Sequence, residues 1–339
     1  MKKYMILFLV LGLLSLALVS CKEDSPTEPI PEPTAKAVFV LNSAATSISV
    51  INLEDNTVTN NVVTVGTWPN QILYHNGKLY CVNSGSNNIM VWNTTNYQAE
   101  TPIPLGTGQN PMNMAIYNDN TAYVACSVSE KVLKVDLTSK TVVDTIDAGV
   151  GATGIIVYNN KVYVANTAFD GINYTYGQGT VTVIDAATSN VTKTINVAMN
   201  PQDIALAPDG RLHVVCTGDY FSVFGKVCII NPTTDAVVDT VNIGGSPGSI
   251  RIASGDKRGY LGVWGFGLLV YDTETKAIVH GTSSYFLGKG GSGLLVDTEG
   301  NVFVSVWADD QVIKLDKNNT VLETYTVGDS PLSLTAKIE

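Results

Sequence analysis

One column of residues does most to limit what this chain can fold into. An Asp or Asn closes an apolar run at Asn52, Asn93, Asp136, Asp185, Asn231, Asp272 and Asp316, spaced 41, 43, 49, 46, 41 and 44 residues apart, a mean of 44. The unit is clearest at 111–149, where apolar runs at 112–117, 122–125, 132–136 and 142–146 are separated by Asn/Asp or polar turns. The runs are strand length and rich in Val, Ile, Thr and Tyr, and none keeps a 3.6-residue period, so each unit predicts a four-stranded antiparallel meander. Seven such units at this period predict an all-β chain folded as a seven-bladed β-propeller. The repeat opens on a second strand, 37–41, and ends on an isolated first strand, 332–338. Pairing those two closes the ring and leaves no blade with an open edge.

The repeated polar positions have structural reasons. A carboxylate or amide at the end of a third strand bonds the backbone of the turn that follows, so this column reads as architecture and not as catalysis. Asn76-Gly77, Asn159-Asn160, Asp209-Gly210 and Glu299-Gly300 read as hairpin turns that need left-handed backbone. Pro69, Pro111, Pro201, Pro247 and Pro331 open innermost strands, where a missing N–H costs nothing.

Residues 1–20 read as a secretory signal: Lys2 and Lys3, then an apolar segment too short to span a bilayer. Its end, Leu18-Val19-Ser20-Cys21, resembles the bacterial lipobox, which implies cleavage before Cys21 and lipidation of its sulfur. Lys22, Glu23 and Asp24 follow, and this acidic cluster resembles the signal that carries some lipoproteins to the outer face of the outer membrane; a solvated tether is the alternative. Residues 21–36 read as the lipidated Cys and a Pro-rich tether: with Pro26, Pro29, Pro31 and Pro33, residues 22–36 form a semi-rigid stalk reaching ~45 Å at ~3.1 Å per residue. The propeller occupies 37–339.

The net charge is −10, with 20 basic against 30 acidic residues and no basic run, which argues against a nucleic-acid partner. Charged residues make up only 15% of the chain, so the surface is largely Asn, Thr, Ser and Gly, suited to neutral ligands rich in amides or hydroxyls. Cys81, Cys126, Cys216 and Cys228 read as buried apolar residues, with a disulfide between Cys216 and Cys228, on neighbouring strands of one blade, as the alternative. His75, His213 and His280 fall on different blades and cannot form one site. No zinc spacing is present. Asp170, Asp203, Asp219, Asp309 and Asp310 leave room for a structural calcium or a metal-dependent, lactonase-like hydrolase at one rim.

The second strands read Phe39-Val40-Leu41-Asn42, Tyr80-Cys81-Val82-Asn83, Tyr123-Val124-Ala125-Cys126, Tyr163-Val164-Ala165-Asn166, His213-Val214-Val215-Cys216, Tyr260-Leu261-Gly262-Val263 and Phe303-Val304-Ser305-Val306. This resembles the YVTN family of propeller repeats over about 300 residues, with units 6 and 7 departing most. The next residue is Ser43, Ser84, Ser127, Thr167 or Thr217 in units 1 to 5 but Trp264 and Trp307 in units 6 and 7. On the same rim Trp68 stands where other copies have Asn110, Asn200, Ser246 or Ser330, unit 4 carries an insertion with Tyr174 and Tyr176, unit 5 carries Tyr220, Phe221 and Phe224, and unit 6 adds Phe266. Trp92, on a third strand, reads as core. The expectation is one aromatic cup built from Trp68, Tyr174, Tyr176, Tyr220, Phe221, Trp264, Phe266 and Trp307, with amide contacts from Asn70, Asn110 and Asn113.

Surface lipidation, an acidic export-type cluster, a Pro-rich stalk and a YVTN-like propeller with an aromatic rim together resemble the cobalamin-capturing lipoproteins that sit over a TonB-dependent outer-membrane transporter. The resemblance implies a non-enzymatic, lipid-anchored surface protein that captures a corrinoid as ligand, not cofactor, by its shape and amides, since none of the histidines is placed to ligate cobalt. A glycan-binding or surface-layer adhesion propeller is the alternative.

Overall fold

The computed structural model describes residues 36–338. The proposed signal, Cys21 and nearly all of the stalk lie outside the described residues. Seven four-stranded antiparallel sheets surround a central channel, and among the described residues the only helical element is one 3-10 turn, Trp307–Asp309. No helix among them is long and apolar enough to cross a membrane. Blade 3 shows the unit: Pro111–Asn118 innermost, then Thr121–Cys126, Lys131–Asp136 and, outermost, Thr141–Asp147.

Ring closure follows the expected pairing. The C-terminal strand Pro331–Ile338 is the innermost strand of blade 1, antiparallel to Lys36–Asn42 in a register that runs from Lys36↔Ile338 to Leu41↔Ser333. Every blade thus finds its four strands within 36–338.

The core is a set of wedges between blades. Seven buried clusters each join two neighbours: Tyr80, Val82 and Val91 of blade 2 meet Val124, Leu133 and Val135 of blade 3, while Leu79, Cys81 and Trp92 face the other way, onto Phe39, Leu41 and Val50 of blade 1. Alternate residues of one strand therefore serve opposite neighbours, so both faces are buried and the second strands read as continuous apolar runs. The motif aromatic also carries a polar tip across the joint: Tyr123 donates to the Ala186 carbonyl at 2.7 Å, and Tyr163 to Asp235 at 2.7 Å. In blade 5 His213 takes this position and bonds through Nδ1 to the Tyr271 hydroxyl.

Innermost strands would otherwise expose a row of N–H groups to the channel. Side chains of the neighbouring blade bond them: Ser333 Oγ accepts from Ile72 N–H (3.2 Å) and Thr335 Oγ1 from Tyr74 N–H (3.1 Å), while Gln71 Oε1 takes Met114 N–H (2.7 Å).

The Asp/Asn column is architectural throughout. Asp136 accepts the N–H groups of Ser139 and Thr138, both at 2.8 Å, and Asn52, Asn93, Asp185, Asn231, Asp272 and Asp316 do the same in their turns. These backbone donors hold the carboxyls of Asp136, Asp185, Asp272 and Asp316 below the usual range.

Candidate ligand-binding face

Because strands alternate in direction, the loops from second to third strand and those from fourth strand to the next blade emerge at the same end of the ring. At that end a small motif recurs. A residue in left-handed conformation precedes the innermost strand (Trp68, Asn110, Gly151, Asn200, Ser330; φ between 50° and 71°). Its carbonyl accepts the N–H of the residue after the second strand (Ser84, Ser127, Thr167, Thr217, Ser43) at 2.9 to 3.1 Å. The hydroxyl of that second residue adds a further bond: Ser84 to the Trp68 carbonyl at 2.9 Å, Ser127 to Asn110 Oδ1 at 2.8 Å, Thr217 to the Pro247 carbonyl at 2.7 Å. The hydroxyl column is therefore a latch between two rim loops. Asn, Gly and Ser tolerate the left-handed position, whereas an indole there is unfavourable by ~1–2 kcal/mol. Trp68 nonetheless occupies it, with 74% of its surface exposed.

Trp264 and Trp307 have given up the latch hydroxyl for indoles that meet edge to face at 5.8 Å, with 63% and 40% of their surfaces exposed. They flank a cleft of about 140 Å³ that also contains Lys289 and Asp309, paired at 2.7 Å. In blade 4 the insertion forms a small hairpin, Phe169–Asp170 with Thr175–Tyr176. Asp170 braces it by accepting the Ile172 and Asn173 N–H groups and the Asn173 amide. Asp219 does the same in the blade 5 loop, taking the N–H groups of Phe221, Ser222 and Val223 and the Ser222 hydroxyl. Donors of this kind hold both carboxyls below the usual range, the Asn173 amide leading for Asp170 and the Ser222 hydroxyl for Asp219. Half-buried Tyr176 joins the loops, 5.0 Å from the Phe169 ring and 6.3 Å from Tyr220. Tyr174 and Phe221 stand out into solvent, and Phe266 packs on Tyr285 at 5.8 Å.

Every strongly exposed aromatic ring among the described residues (Trp68, Phe169, Tyr174, Tyr220, Phe221, Phe224, Trp264, Phe266, Trp307) is on these loops, hence at one end of the ring. They do not share one concavity. The expected cup divides into a Trp264/Trp307 cleft, a blade 4–5 cluster and an isolated Trp68 at the start of blade 2, because ring contacts of 5 to 6 Å tie each aromatic to its nearest loop. Beside the blade 4 insertion lies a cavity of about 460 Å³ with Phe169, Tyr176, Val128 and Val150 in its wall. It meets the upper channel at Met112, Thr153 and Gln202.

Of the three expected amide contacts, Asn70 and Asn113 line the upper channel, a cavity of about 260 Å³. Asn110 instead serves the latch through Ser127. Sequence reasoning missed Gln71, Gln202 and Arg251, and offered Asp203 only as a metal ligand; in the channel Asp203 pairs with Arg251 at 2.8 Å. The only signal for that pair was its position, since both residues lie just inside the start of innermost strands in adjacent repeats.

The five rim aspartates do not converge. Asp170 and Asp219 brace loops, Asp203 pairs with Arg251, Asp309 with Lys289, and Asp310 accepts the Ser330 N–H at 2.9 Å. No group of three His, Cys, Asp or Glu side chains able to hold a metal occurs among the described residues. His75 lies 3.3 Å from Asp119, and His280 bonds the Ser284 carbonyl at 3.1 Å. His213 is buried, and that burial pushes it down to about 4. Cys81, Cys126, Cys216 and Cys228 are free thiols buried in the wedges; Cys216 and Cys228 share the wedge between blades 4 and 5.

Fold and site define a β-propeller with one aromatic end and a polar channel mouth. The chain belongs to the DUF5074 family, described as a domain of unknown function, whose model matches residues 59–254. Similar solved structures include hydrazine synthase of Kuenenia stuttgartiensis (15% identity, TM-score 0.66, covering 78% of this chain and 88% of that one). Another is a quinoprotein alcohol dehydrogenase-like protein of Bacteroides thetaiotaomicron VPI-5482 (15% identity, TM-score 0.65, 88% of this chain and 78% of that one). At that identity they share the propeller fold and nothing finer. No curated protein sequence matches the chain.

Proposed function

We propose that this protein is a non-enzymatic capture protein that holds a neutral, amide-rich small ligand, a corrinoid, against its aromatic end, and passes it to a TonB-dependent outer-membrane transporter. The observation that carries the reading is the gathering of every strongly exposed ring among the described residues at one end, around a channel mouth of amides and hydroxyls. Monomeric proteins bury most of their large rings, and an exposed cluster of them rimmed by polar groups marks an interaction site. Trp68 adds support, because a bulky residue kept in left-handed backbone at a solvent-facing position has no folding advantage to explain it. A corrin ring is broad and flat with amides at its edge, which suits aromatic faces beside Asn, Gln and Ser.

In the same proposal Cys21 carries a lipid at the outer membrane and the propeller faces the exterior. Lys36 and Ile338 pair at the end of blade 1 opposite the rim loops, so a tether joined at Lys36 would leave the aromatic end turned away from its attachment. Protease added to intact cells should remove the wild-type domain, and Cys21→Ser should release it or stall its processing; a domain protected in intact cells argues for the periplasmic side.

Glycan binding is the second reading, because aromatic platforms also stack on sugar rings. Calorimetric titration of the propeller with cyanocobalamin and with a panel of oligosaccharides separates the two. Micromolar or tighter binding of cyanocobalamin alone supports capture of a corrinoid, and binding of a glycan alone overturns it.

A further inference from the structure

The channel through the ring is divided. Its upper cavity, about 260 Å³, touches all seven blades, and its lower cavity, about 430 Å³, is lined largely by apolar residues further along the innermost strands. Asp203 and Arg251 belong to both linings and are their only charged residues. Arg251 spends Nη1 on Asp203 Oδ2 at 2.8 Å and on the Ile250 carbonyl at 2.6 Å, which leaves Nε and Nη2 as donors. The pair gives the channel a floor without net charge.

Above it, unspent amide oxygens gather on one side of the channel. On blades 2, 3 and 5 each amide nitrogen is anchored to the protein: Asn70 on the Pro111 carbonyl at 2.9 Å, Asn113 on the Thr153 carbonyl at 3.3 Å, Gln202 on Asn200 Oδ1 at 2.6 Å, the last two each keeping a second N–H. Their amide oxygens carry no bond to the protein and remain acceptors. On blades 6 and 1 the unused groups are donors. Ser333 Oγ accepts from Ile72 N–H and keeps its own proton uncommitted, and Arg251 keeps Nε and Nη2. Ser249 Oγ, buried and without a partner, is turned toward Gly262 of the second strand and away from the channel.

We propose that the upper channel is a socket for a single primary carboxamide arm of the ligand. Its two N–H groups meet the oxygens of Asn70, Asn113 and Gln202, and its carbonyl oxygen meets Ser333 and Arg251. A carboxylate would bring an unbalanced charge above a neutral pair and leave the three amide oxygens without a donor. An alcohol lacks the second N–H. The volume admits a short arm and excludes a macrocycle, which would stay outside on the aromatic end. The inference deepens the corrinoid reading and rests on it for the identity of the whole ligand, while the socket itself rests on the channel alone.

One substitution probes it. A Cβ at Gly248, on the upper lining, would meet nothing within 4 Å, so Gly248→Leu fills the socket without displacing the fold. In spectra of the labelled propeller, propionamide at high concentration should shift the backbone amide signals of Gly248, Ser249 and Asn113, and propionate should not. Cyanocobalamin affinity should fall at least ~10-fold in Gly248→Leu, with the variant melting no lower than wild type. If propionamide moves those signals but cyanocobalamin does not bind wild type, the socket stands and the corrinoid reading falls. The socket is overturned if cyanocobalamin binds wild type and Gly248→Leu alike, or if propionate moves the channel signals as much as propionamide does. It falls too if neither propionamide nor cyanocobalamin binds.

Discussion

Blades 3 and 6 contribute to the same kind of buried wedge and present opposite kinds of rim. In blade 3 the innermost strand has eight residues and the latch is complete, with Ser127 bonded to Asn110 at 2.8 Å. In blade 6 the innermost strand shrinks to Ser249–Ile252, the outermost to Ile278–His280, and Trp264 stands where the latch hydroxyl would be. The lost order is replaced from elsewhere. Phe286, fully buried, makes a bridge with Leu268 and packs on Tyr260 at 5.6 Å, and the Gly265 N–H finds the Gly290 carbonyl at 2.8 Å. The latch is thus one of several ways to hold rim loops. Where another contact takes over its work, the column is free to carry a ring that faces solvent.

If that comparison is sound, damage to the repeated framework should destroy the fold, and damage to the departures should spare it. The largest effect is expected from deleting residues 331–338, which removes the innermost strand of blade 1 and exposes the edge of Lys36–Asn42. Cooperative melting should be lost; a truncated domain that melts like the intact one would show that closure contributes little. Next, Trp92→Ala should cost about 3–5 kcal/mol in denaturant unfolding, because only 2% of its surface is exposed and its ring fills the wedge between blades 1 and 2. A change below ~1 kcal/mol would place Trp92 with the rim residues.

A third effect belongs to blade 5, where His213 replaces the motif tyrosine. Burial keeps its folded form neutral, down to about 4 against an ordinary 6.5. The unfolded chain takes up a proton below pH 6.5 and the folded one does not, so this contribution is full above pH 6.5 and is lost as pH falls toward 4. It amounts to about 3 kcal/mol over the window. Unfolding curves across that range should show the loss, and His213→Phe should remove most of it. An unchanged pH profile in that variant would mean that other groups, among them the turn carboxylates that need their charge for their backbone bonds, set the acid limit.

The repeat, the closing strand and the turn carboxylates were legible in the sequence because each is a spacing rule, and strand alternation converts spacing into position. For the same reason the shared end of Trp68, Trp264 and Trp307 could be read before any coordinates. Their grouping could not. Whether Tyr176 packs on Phe169 or reaches toward Trp264 depends on loop paths decided by contacts of a few ångströms, and on two aspartates that looked like metal ligands and turned out to brace their own loops. Asn70 and Asn113, read as amide contacts of the cup, line the upper channel, and which end of each amide is spent on the neighbouring blade is a matter of geometry. Arg251 went unremarked because an arginine in a divergent repeat has no spacing to betray it, and its partner Asp203 is 48 residues away.

The most direct test of the central claim, that the departures from the repeat serve binding while the repeat itself serves folding, is to measure affinity and stability together in Trp264→Ala and Trp307→Ala. Calorimetry with cyanocobalamin should show each variant weakened by ~2 kcal/mol, roughly 30-fold, with a melting temperature close to that of wild type. Wild-type affinity in both variants, or a loss of several kcal/mol of stability in either, would contradict the account.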